Sequence, residues 1–94
     1  MSYLEILAEE IRRAVEPGLV PEGDTEALFR IYAVLALAKG EQVTAEDVHN
    51  AWVAWMGEID PSHRGLKPFD ELPSDVQEQD EPYVRAIRAA AARG

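Results

Sequence analysis

Leu4, Leu7, Ile11, Ala14 and Val15 recur at helical spacing near the start of the chain, while Glu5, Glu9, Glu10, Arg12 and Arg13 take the other faces. The pattern predicts an amphipathic helix opened by Ser2 and Glu5 as an S-x-x-E capping box and stopped by Pro17-Gly18. Leu19 to Gly23 reads as a loop with apolar anchors at Leu19 and Val20. A second helix, capped by Asp24 or Thr25, runs to Lys39 and ends at Gly40. It is apolar on nearly every side, from Ala27, Leu28 and Phe29 to Val34, Leu35 and Leu37. Such a helix needs several neighbours, either within its own domain or across a subunit contact, so a homo-oligomer is expected.

Thr44 caps a third helix, with Glu46 and Asp47 in its first turn and Val48, Trp52, Trp55 and Met56 along one stripe. Gly57 is the expected end, and a long irregular loop follows over about 58–72, carrying Pro61, Gly65 and Pro68. Pro73-Ser74 opens a short helix with Gln77 as a second capping-box partner. Asp80 and Pro82 mark a restart into a last helix with Val84, Ile87 and Ala91 inward, fraying at Arg93-Gly94. No strand-like alternation and no fixed-period repeat is visible. The expected fold is all-α: a small bundle of four to five helices in one domain, 1–94, with 1–46 as an N-terminal helical pair.

Ninety-four residues suit one domain, and an apolar content of 47% is too high for a disordered acidic chain. Nine basic against eighteen acidic residues give a net charge of -9, which disfavours DNA, RNA and anionic membrane surfaces as partners. The N-terminus lacks a basic n-region and a long apolar h-region, and the most apolar stretch, Ala27 to Ala38, is too short to span a bilayer. A cytoplasmic location is the default expectation.

Cysteine is absent, removing disulfides, thiolate metal sites and cysteine nucleophiles. His49 and His63 match no standard ligand spacing even with Asp47 or Asp60 added, so no metal and no cofactor is expected. His49 reads instead as a partly buried side chain beside Trp52, and His63 as a loop-fixing hydrogen-bonding group. Asp70 and Asp80 read as local caps. With no G-x-S-x-G, S-x-x-K or phosphate loop, the chain is not expected to be an enzyme. A tryptophan stripe at helical spacing ordinarily means core packing, with Arg85 and Arg88 on a solvated face. The alternative is a small anion pocket, because basic residues concentrate from Arg64 to Arg88 near aromatic side chains.

The segment V-H-N-A-W, then H-R-G-L-K-P-F-D-E-L-P and V-Q-E-Q-D, resembles the RyR repeat domain over about residues 48–87. The positions that carry the likeness are His49, Trp52, His63, Leu66, Pro68 to Pro73 and Asp80. The ending D-E-P-Y-V-R-A-I-R is similar to small proteins of actinobacterial phages. The resemblance implies binding without catalysis, with nucleotide or ADP-ribose-derived signals as ligands. On that basis Trp52, Phe69 or Tyr83 would stack a base, while His49, His63, Arg64, Lys67 and Arg85 would meet polar or phosphate groups. A phage protein of this kind would be an anti-defence sponge in the host cytoplasm. The competing expectations are an acidic module that binds or inhibits a host protein, and a phage structural or assembly accessory protein.

Overall fold

The computed structural model describes residues 2–93. Four long helices, α1 (Tyr3–Ala14), α2 (Glu26–Lys39), α3 (Ala45–Ile59) and α5 (Glu81–Arg93), enclose one core, and the single-turn α4 (Ser74–Gln77) precedes α5. The fold is all-α, a small helical bundle, with no strand among the described residues. Of the expected fraying at Arg93-Gly94, Arg93 still belongs to α5, and Gly94 lies outside the described residues.

The ends of each helix follow from local chemistry. Ser2 Oγ accepts from the Glu5 N–H at 3.2 Å, the hydroxyl half of the expected box. Thr25 takes the N-cap position of α2 without a side-chain bond, and Asp24 Oδ1 accepts from the Glu26 N–H at 3.0 Å instead. Gly40 ends α2 with φ +58°, a conformation that costs any other residue steric strain. Thr44 and Asp47 make a complete capping box at α3, with bonds of 3.2 and 3.0 Å. Burial raises the Asp47 carboxyl, but the 2.8 Å contact with Lys39 Nζ and the Thr44 bonds outweigh it and hold the group below its ordinary range.

Two expected boundaries move. Helix α3 does not stop at Gly57 but continues to Ile59, because Pro61 is the real terminator. It forces Asp60 out of helical geometry, to φ -142° and ψ 87°. The irregular stretch therefore begins at Asp60 and already closes into a 3-10 turn at Phe69–Glu71. The second capping box also fails. Pro73 occupies the N-cap of α4, and Gln77 Nε2 donates outward to the carbonyls of Phe69 and Leu72 at 2.9 and 3.2 Å.

Helix α2 is the hub, packed by α1, α3 and α5. Leu28, Phe29, Tyr32, Ala33 and Ala36 are buried on its inner face, which accounts for most of its apolar character. Val34 and Leu37 remain 52% and 55% exposed on the outer face. Ile11, Val48 and Ile87 meet α2 from the other long helices, so both halves of the chain supply the core. Phe29, Tyr32 and Tyr83 form an aromatic cluster with ring centroids 5.2–6.2 Å apart. Arg88 Nε donates to Val43 O at 2.8 Å and ties α5 to the turn before α3. No helix among the described residues is long and apolar enough to cross a membrane.

Leu28 is fully buried at the centre of this core. Leu28→Ala leaves a cavity there and is expected to lower stability by about 3 kcal/mol, read as a reduced urea midpoint.

Candidate functional site

Beside the core, a cleft of about 750 Å³ opens between the segment before α2, the inner end of α3, the loop after it and the α4–α5 corner. That size is typical of small-ligand sites. Its aromatic wall comes from α3. Trp52 is only partly buried, unlike Trp55, which is sealed at 8% exposure. The indole stacks on His49 with centroids 5.8 Å apart and planes 23° apart, and meets His63 edge-on at 5.1 Å. Leu19, Pro21, Leu72, Val76 and Pro82 supply apolar surface around it.

Three hydrogen bonds set the cleft. His49 is 4% exposed, and its Nε2–H donates to the carbonyl of Lys67 at 2.6 Å. A carbonyl only accepts, so the bond places the proton on Nε2. Within the loop, the Gly65 N–H donates to His63 Nδ1 at 2.9 Å, so His63 does fix its own loop. Across the cleft, Tyr83 Oη donates to Leu19 O at 2.8 Å and joins α5 to the segment before α2. Gly65 lies so near Trp52 that an added Cβ would stand 2.9 Å from Cη2.

The titrating group of the cleft is Asp80. Burial pushes its carboxyl up to about 6; the His49 ring opposes this and Glu81 adds to it. Its charge and burial also raise the Tyr83 phenol, where burial is the larger cause, and the Tyr32 phenol, where burial leads and Tyr83 comes second. Asp80 caps no backbone N–H among the described residues, contrary to the local-cap expectation, and neither does Asp70.

Of the residues singled out from sequence, His49, Trp52, His63 and Tyr83 line the cleft together. Phe69 packs behind His49, with centroids 6.1 Å apart. Arg64, Lys67 and Arg85 are exposed and do not line it, so the expected anion pocket is not assembled. Lys67 contributes its backbone carbonyl alone. Sequence reasoning missed Asp75, Glu78 and Asp80 as lining residues, as well as Leu19 and Pro21. A spacing rule for the α4–α5 corner gives no hint of what that corner faces.

A second hollow, about 600 Å³, lies between α1 and the start of α2. Its arginines are already satisfied: Arg12 and Arg13 pair with Glu9, and Arg30 pairs with Glu5 and Glu26. No cluster of three metal-ligating side chains occurs among the described residues.

Because the folded chain holds the Asp80 proton more tightly than the unfolded chain, its contribution to stability falls as pH rises from 3.8 through about 6. Asp80→Asn is expected to gain about 1 kcal/mol at roughly pH 7.5, a value reduced for solvent screening in an open cleft. Urea titrations should show that gain vanishing at about pH 4. Gly65→Ala is expected to push Trp52 outward, red-shifting tryptophan emission and costing about 1–2 kcal/mol.

No curated protein matches the chain, and no solved structure does. The resemblance to the RyR repeat domain is overturned, since the family model that matches is a different one and covers both halves of the chain. The P-F-D-E-L-P piece that carried the likeness is a local device: Pro68 opens a 3-10 turn and Leu72 buries beneath it. A turn of this kind arises from short-range chemistry without common descent. Over residues 2–92 the chain belongs to the family described as Domain of unknown function (DUF7701).

Proposed function

We propose that this protein is a non-enzymatic binding protein that captures a small ligand by stacking a flat ring of that ligand in the Trp52 cleft. The observation that carries the reading is the state of Trp52. Its indole is held in place by two imidazoles yet is left partly open to a ligand-sized space. A large aromatic surface kept unburied beside a perturbed carboxyl is the ordinary signature of a binding site.

A nucleoside fits this description through its base. The phosphates of a nucleotide signal would have to stay outside, because no Lys or Arg side chain lines the cleft. A ligand held this way is withheld from other readers, so a sponge needs nothing beyond affinity. In a phage-encoded chain this would make a host signal unavailable to its effector. A second reading, an acidic module that binds a basic protein, draws support from the net charge of -9.

Two measurements test the first reading. Mass spectrometry of the heat-denatured protein, purified from cells with active nucleotide signalling, should show a released ring compound. Thermal melts with adenosine, guanosine, cytidine and ADP-ribose should show at least one stabilising ligand, worth about 2.7 kcal/mol at 100 times its Kd. Trp52→Leu keeps an apolar side chain and should lose that response. No released compound and no shift would overturn the reading, and salt-sensitive capture of a basic protein would then favour the second.

A further inference from the structure

The cleft has a charge pattern that its aromatic wall does not explain. Asp80, partly buried, lines it together with the exposed Asp75 and Glu78, and no Lys or Arg side chain does. None of these carboxylates belongs to an ion pair among the described residues, whereas the paired acids lie elsewhere: Glu9 with Arg12 and Arg13, Glu5 and Glu26 with Arg30, Asp47 with Lys39. The two imidazoles are engaged already, His49 with the Lys67 carbonyl and His63 with the Gly65 amide. A partly buried carboxylate without a partner is unfavourable, and the negative faces of aromatic rings beside it make the site no more welcoming to an anion.

Both features select the same occupant. A delocalised cation stacks on an indole face, and its N–H edge donates charge-assisted hydrogen bonds to a carboxylate. We infer that the cleft takes a flat organic cation of the amidinium or guanidinium type, with Trp52 against its face and Asp80 accepting from its N–H edge. This rests on the ring-stacking reading above and narrows its ligand to a cation, in place of the neutral nucleoside base offered there. Asp80 is then the residue that sets charge preference, while Trp52 sets shape. The desolvation cost of the unpaired Asp80 carboxylate is offset when the cation pairs with it.

Three probes of nearly the same shape separate charge from shape: benzamidine, benzamide and benzoate. Each is titrated into the full chain at about pH 7.5 and low salt, following the Trp52 indole N–H and the Gly65 amide by NMR. Benzamidine should shift both signals and bind at least about tenfold more tightly than benzamide, with no response to benzoate. Asp80→Asn should weaken benzamidine about tenfold and leave benzamide unchanged. The variant is expected to fold, since it removes a penalty. Equal binding of benzamide or benzoate, or an unchanged benzamidine affinity in Asp80→Asn, overturns the cationic ligand and leaves the stacking site standing. Silence of Trp52 towards all three probes also overturns it; the binding reading itself falls only if the nucleoside panel is silent too.

Discussion

His49 lies on the inner side of α3, where its ring must either find hydrogen-bond partners or destabilise the fold. Its acceptor is the backbone carbonyl of Lys67, eighteen residues further on. That single bond draws the loop back across the helix that precedes it. His63 and Gly65 are brought against Trp52 in consequence, and Phe69 is set behind the imidazole. The indole is thereby held partly buried at the edge of the cleft. Without the Lys67 carbonyl in place, the loop loses its hydrogen bond to α3 and is left with the ring contacts of His63 and Phe69.

The helices are legible in the sequence because their signals are local. Thr44 with Asp47, Gly40 at positive φ and Pro17 after α1 each act within a turn of their own position. Leu7, Ile11, Val48 and Ile87 sit where a period of 3.6 puts them. Gly57 misleads for an equally local reason, since a helix tolerates glycine until a proline makes continuation impossible. The pairing of His49 and Trp52 is readable too, being one turn of one helix. What joins them to His63 and Tyr83 is tertiary: Tyr83 bonds to Leu19 across 64 residues, and no spacing rule reports that.

Charge shows the same division between what composition states and what geometry decides. The excess of acid is plain from counting, and so is the run of basic residues from Arg64 to Arg88. Counting placed those cations around the tryptophan. The fold leaves Arg64, Lys67 and Arg85 outside the cleft, which is lined by the partly buried Asp80 with the exposed Asp75 and Glu78. Alternation along a helix of 3.6 residues per turn separates Tyr83 from Arg85 by about 200°, so one faces the core when the other faces water. The aromatic part of the site was therefore readable from sequence, and its polarity was not.

The bond from Tyr83 to Leu19 has a consequence for how the protein comes into being. The wall opposite Trp52 joins stretches 64 residues apart, Leu19 before α2 and Tyr83 in α5. During synthesis the early helices emerge and can pair while the later wall is still inside the ribosome. The recess is incomplete until α5 emerges and docks, and any fragment lacking α5 lacks the wall that Pro82 and Tyr83 supply.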